Sequence, residues 1–155
     1  VLQPDSYAAC FVAALDTAAA TIEFVNCGHV PPLLVRADGT QTEELSTGGI
    51  LIGAVEQPDY RALVRHLEPG DVVVLFTDGV CEARNAAGEQ FGPEGIEAAL
   101  RAAQQESDDM GRWADAIVAA QRAFAADAHS DDATLVLLRR DRVAEALEAR
   151  PTCSA

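Results

Sequence analysis

Residues 72–76 read VVVLF and lead straight into Thr77, Asp78 and Gly79. Five consecutive apolar residues, three of them β-branched, are too few for a helix and too uniform for a half-exposed strand. Such a segment is a strand buried on both faces, and a strand of that kind needs packed layers on either side. The EPGD turn at residues 68–71 launches it, and a single carboxylate, Asp78, ends it.

The segments around it supply those layers. CFVAALD and ATIEFVN are two β-like runs separated by small residues, which suits an antiparallel pair; Ile22 and Phe24 alternate with Thr21 and Glu23. LLVR follows GHVPP as a short strand, and Asp38-Gly39 offers hairpin turn chemistry. STGGILIG reads as a glycine-punctuated loop, and Tyr60 to Leu67 alternates as a further strand. Past Asp78 the period changes. Pro93 suits a first helical turn, with Ile96, Ala99, Leu100 and Ala103 on one face. A second helix spans about Met110 to Phe124, with Trp113, Ile117, Ala120 and Phe124 in its stripe and Asp108 or Asp109 as cap. ATLVLLRR returns to strand, and DRVAEALEAR is an amphipathic piece ending before Pro151. Five or six antiparallel strands with two late helices predict an α+β layered domain over residues 1–140, followed by a terminal helix and tail over 141–155.

Charge narrows the partners. Asp and Glu outnumber Lys and Arg by 25 to 11, a formal charge of -14, so the surface repels a polyanion and nucleic acid is not an expected partner. The same surplus favours divalent cations wherever carboxylates converge. The four cysteines form no CxxC pair and read as reduced thiols of a cytoplasmic protein. No apolar run reaches membrane-spanning length, and no signal-peptide pattern opens the chain.

Two acidic strand tips could do chemistry. Asp78 follows the apolar strand, and Asp131 and Asp132 precede ATLVLL. If both tips lie on the same edge of the sheet, they form an oxygen-rich site for a hard ion such as magnesium or manganese. Asp before Gly also serves plain turn chemistry, and Asp-Asp before a strand a solvated loop; residue types alone leave both readings open. His29, between glycine and prolines, reads as a loop-shaping residue; His66 and His129 carry no assigned role, although His129 lies two residues before Asp131. Cys81 has no basic neighbour in sequence to stabilise a thiolate and reads as a buried thiol.

Taken in order, NCGHVPPLLV, GG followed by ILIG, PGDVVVLFTDGVCEARNAAGEQFG and SDDATLVLLRR resemble the C-terminal half of the bacterial SpoIIE-type protein phosphatases. These belong to the metal-dependent serine/threonine phosphatases of the 2C type, and the match covers roughly residues 8 to 140. The resemblance implies an antiparallel β-sandwich flanked by helices, in αββα layers, with two Mn2+ or Mg2+ ions at one sandwich edge. It implies metal-ligating roles for Asp78 and Asp131, an additional metal site near Glu82, and shaping roles for Gly79, at a tight backbone turn, and for Asp132. It further implies in-line attack on phosphorus by a metal-activated water. The substrate would be phosphoserine or phosphothreonine on a regulatory partner such as an anti-sigma-factor antagonist.

One departure qualifies these expectations. The family's upstream half, with a GGD-type metal-binding aspartate, has no counterpart before residue 8, so the chain is expected to hold only the C-terminal portion of the domain and part of its metal site. The alternative is a non-catalytic phosphatase-like module acting by protein binding or as a homo-oligomer. A haloacid-dehalogenase-like site is set aside, because it wants an aspartate where Val80 stands.

Overall fold

The computed structural model describes residues 6–39, 41–126 and 132–141. Its strands are β1 (Cys10–Asp16), β2 (Thr21–Cys27), β3 (Leu33–Val35), β4 (Thr42–Glu44), β5 (Leu63–His66), β6 (Val72–Phe76) and β7 (Leu135–Arg139). Its helices are α1 (Asp78–Cys81), α2 (Gly92–Glu106) and α3 (Met110–Phe124). The strands form two antiparallel sheets, one ordered β1-β2-β5 and the other β4-β3-β6-β7. The expected terminal helix and His129 lie outside the described residues.

The expected burial of β6 on both faces is what the packing shows. Val72, Val74 and Phe76 face the helices, where they meet Ile96, Leu100, Trp113 and Ile117. Val73 faces the second sheet and packs with Ile22, Phe24, Leu34, Leu45 and Leu67. Each such side chain stabilises the fold by roughly 1.5–3 kcal/mol relative to exposure. Among the described residues the layers are therefore a helix pair, a four-stranded sheet and a three-stranded sheet. Val12 and Val64, on the outer face of the three-stranded sheet, stay exposed.

The helix boundaries follow their signals. Pro93 sits in the first turn of α2, and the Asp109 carboxylate caps α3 by accepting from the Gly111 and Arg112 N–H groups at 2.7 and 3.4 Å. The buried stripe of α3 is Trp113, Ile117 and Gln121, whereas Ala120 is only partly buried. Two expectations need correction. The strand expected from Tyr60 to Leu67 is only four residues long, because the edge of β2 beyond Phe24 is already taken. There the Thr47 hydroxyl accepts from Asn26 N–H and donates to Asn26 O, and Cys27 bridges to Gly49. The tight turn expected at Gly79 is instead the first turn of α1, with Gly79 in helical conformation. No helix among the described residues is long and apolar enough to cross a membrane.

Candidate active site

The buried β6 fixes the approach to Asp78, and Thr77 fixes the exit. Thr77 is extended; its N–H donates to Thr134 O at 3.1 Å, and its hydroxyl accepts from Thr134 N–H at 2.9 Å. The same hydroxyl donates to Asp132 O at 3.2 Å. Phe76 is in register with Leu135, so the end of β6 and the start of β7 lie side by side. The condition set by the sequence is thus met for Asp78 and Asp132: both exposed residues stand at one end of the four-stranded sheet. Asp131 lies outside the described residues.

Asp78 opens α1, and its Oδ1 accepts from Gly79 N–H at 2.9 Å. The helix is short but firmly seated. Val80 is buried in the core beneath it, and Gln121 Nε2 donates across from α3 to Gly79 O at 3.3 Å. Glu82 is the C-cap of α1, exposed, with its N–H donating to Asp78 O at 2.8 Å. Cys81 is buried, and burial pushes its thiol pKa up, with the Glu82 and Asp78 carboxylates adding to the shift. A thiol held protonated in this way is no nucleophile.

A second loop system borders the same end. Leu33 opens β3 opposite Val74, so residues 28–32 run past the end of β6. The buried Asn26 holds this loop through both amide groups: its Oδ1 accepts from His29 N–H and its Nδ2 donates to His29 O, each at 2.9 Å. The His29 ring bonds locally, Nδ1 lying 2.7 Å from Val30 O. Close backbone approach explains two glycines. Gly28 has φ +73°, and a Cβ on Gly49 would lie 2.1 Å from the Asn26 carbonyl oxygen.

Among the described residues no three His, Cys, Asp or Glu side chains converge as a metal cluster. Asp78 and Asp132 at this end are exposed carboxylate residues, a type that suits a hard divalent ion in kind. Sequence reasoning passed over Thr77, Asn26 and Gln121, which hold the acidic end in place. Gln121 left a legible signal, since an amide at the 113, 117, 121 spacing falls on the buried face of α3 and needs a partner.

Comparison with known proteins places this arrangement. The family model described as Stage II sporulation protein E (SpoIIE) matches residues 1–141. Phosphoserine phosphatase RsbU of Bacillus subtilis (strain 168) is 34% identical over 65 residues, spanning 42% of this chain and 19% of the relative. The SiaA-PP2C domain of Pseudomonas aeruginosa superposes with a TM-score of 0.71 at 21% identity, over 91% of this chain and 54% of that one. The phosphatase domain of SpoIIE from Bacillus subtilis does so with a TM-score of 0.68 at 18% identity, over 91% and 62%. The chain thus spans less than two thirds of the length of each of these relatives. Its α+β architecture is that of the 2C-type phosphatase domains, and the chain belongs to the SpoIIE family.

Proposed function

We propose that this chain contributes one side of a metal-dependent protein phosphatase site that removes phosphate from phosphoserine or phosphothreonine of a cytoplasmic regulatory protein, such as an anti-sigma-factor antagonist. The observation that carries this reading is the presentation of Asp78 beside the start of β7, with Thr77 bonded to both Asp132 and Thr134. Asp78 and Asp131 would hold Mn2+ or Mg2+, with Glu82 near an additional ion; Gly79 and Asp132 shape the site. The manganese presoak of the Bacillus subtilis SpoIIE domain and the phosphoserine activity in the name of RsbU support this choice. Bound ions would supply charge neutralisation at the phosphoryl oxygens and a lowered pKa for an attacking water.

The protein's own part is positional. All of β6 but the partly buried Leu75 is buried, which restrains the Asp78 backbone, and Thr77 ties it to the neighbouring acidic segment. Gln121 and Val80 keep α1 from fraying. Manganese titration followed by electron paramagnetic resonance tests the site, alongside hydrolysis of a phosphoserine peptide. Asp78→Asn and Asp131→Asn are each expected to weaken manganese binding by at least about 10-fold. Unchanged binding, or manganese-stimulated turnover indifferent to Asp78→Asn, would remove Asp78 from the mechanism.

A second reading, association with another copy of the chain, is favoured by a different observation. The two sheets are laced together on the β4/β5 side, where Arg65 Nε donates to Glu43 at 2.6 Å. Among the described residues nothing covers them on the β1/β7 side. Leu15, in register with buried Ile22, is 50% exposed; Val136 and Leu138, in register with Leu75 and Val73, are 45% and 37% exposed. These inward-facing apolar side chains flank a groove of about 310 Å³ lined in part by Leu15, Leu67 and Leu138. Both bordering strands are sheet edges among the described residues, able to accept a further strand. Sedimentation velocity across a concentration series tests this reading: the parent should self-associate and Leu138→Lys should shift it toward monomer, whereas a parent that stays monomeric throughout would refute it.

A further inference from the structure

β1 begins with a cysteine and β2 ends with one, and the register sets Cys10 directly opposite Cys27. Directly opposed residues of an antiparallel pair project to the same face, with Cα atoms about 4.5–5.5 Å apart. That separation falls inside the roughly 4.4–6.8 Å spanned by disulfides. Both are free thiols, Cys10 partly exposed and Cys27 buried. We propose that Cys10 and Cys27 form a peroxide-responsive thiol pair, closing reversibly into a disulfide that staples the open end of the β1–β2 hairpin.

The chemistry balances with hydrogen peroxide as oxidant. The more accessible Cys10 attacks one peroxide oxygen as its thiolate, giving a sulfenic acid and releasing water after proton transfer. Cys27 then attacks that sulfur as a thiolate and displaces the hydroxyl as a second water. Two thiols lose two electrons in total, and one peroxide becomes two waters. The surroundings of Cys27 suit this role. The Tyr60 hydroxyl is buried and makes no hydrogen bond among the described residues. Its own pKa is raised by burial and by the proximity of Cys27. Cys81 offers no competition, because it sits in α1 within the helix-side core and no cysteine opposes it among the described residues.

The position gives the staple a target. Cys27 leads directly into Gly28 and His29, the loop that borders the Asp78 end of the sheet, so oxidation would pin that loop's base to β1. The experiment treats the native chain with peroxide, alkylates the remaining thiols and maps the peptides by mass spectrometry. The expected product is one intrachain link between the Cys10 and Cys27 peptides, lighter than the reduced pair by two hydrogens and reversed by a dithiol. Cys10→Ser and Cys27→Ser should each abolish it, with circular dichroism confirming that both variants fold. Cys81→Ala and Cys153→Ser should leave it intact. Full alkylation of Cys10 and Cys27 after treatment would overturn the proposal, as would links to Cys81 or Cys153, links between copies, or separate over-oxidation of the two sulfurs.

Discussion

Asp71→Ala tests how firmly the strand that presents Asp78 is anchored. Asp71 is 2% exposed and immediately precedes β6. Its carboxylate accepts from Arg36 Nη1 at 2.6 Å, from Ala37 N–H at 3.0 Å and from Glu68 N–H at 2.8 Å. Alanine removes all three acceptor contacts, orphaning two backbone donors and a guanidinium at once. Breaking a buried pair from one side costs about 3–5 kcal/mol, and hydrogen bonds to a charged group contribute about 1.5–3 kcal/mol each. Arg36 is 24% exposed and keeps a contact to His66 O at 2.9 Å, which lowers the penalty on its side. A loss of about 3–4 kcal/mol is therefore expected, read as a fall of about 2 M in the urea midpoint at an ordinary m-value for a chain of this size. Asp71→Asn keeps the shape and one acceptor, so it should cost less. A double-mutant cycle with Arg36→Met should show coupling of about 1–2 kcal/mol. A midpoint for Asp71→Ala within about 0.5 M of the parent, or coupling near zero, would refute the assignment of this carboxylate as the anchor of β6.

Two smaller perturbations probe the helix layer. Asp109→Ala deletes the cap of α3 and should cost about 1 kcal/mol, with thermal melting lowered by about 2–4 °C. Glu97 is held below the usual carboxylate range by the Thr42 hydroxyl and by Arg101, so the folded pKa is depressed. Its contribution is complete above its unfolded pKa and is lost as pH falls through the folded value. The advantage of the parent over Glu97→Gln should be flat at neutral pH and shrink below about pH 4.5, staying under about 1 kcal/mol because the pair is part-exposed. Urea melts at several pH values measure it, and an advantage that grows in acid would contradict the sign.

The parts of the fold that were legible in the sequence are those fixed by side-chain burial. VVVLF announces a strand with cover on both faces, and the stripe through Ile96, Leu100 and Ala103 announces a helix lying on that cover. The hairpin that Asp38-Gly39 signals is present, with β3 pairing antiparallel to β4, but the extent of β4 was not legible because Thr42, Glu43 and Glu44 carry no apolar alternation; β3 supplies the edge they pair with. The shortness of β5 was equally hidden, being decided by Thr47 and Gly49 competing for the far end of β2. The acidic end follows the same division. Residue types nominated Asp78 and the Asp131–Asp132 pair, but the adjacency of Asp78 and Asp132 depends on the pairing of Phe76 with Leu135, a contact across almost sixty residues of chain that no local pattern specifies.

The catalytic and associative readings meet at β7. Among the described residues β7 is a sheet edge; a strand added there would run along Leu135–Arg139, and one end of that track lies next to Asp132 and Thr134, beside Asp78. Whatever occupies the edge therefore arrives at the end of the sheet where the carboxylates stand and can bring further oxygen donors to them. If a second copy fills that role, manganese affinity should rise with protein concentration in step with self-association, and Leu138→Lys should weaken both together. If Asp78 and its neighbours hold the ion within one chain, affinity should be independent of protein concentration and Leu138→Lys should leave it unchanged. Manganese titrations at two protein concentrations, one below and one above the association midpoint, separate the cases. A concentration-dependent affinity that survives Leu138→Lys would sever the link between the open edge and the acidic end.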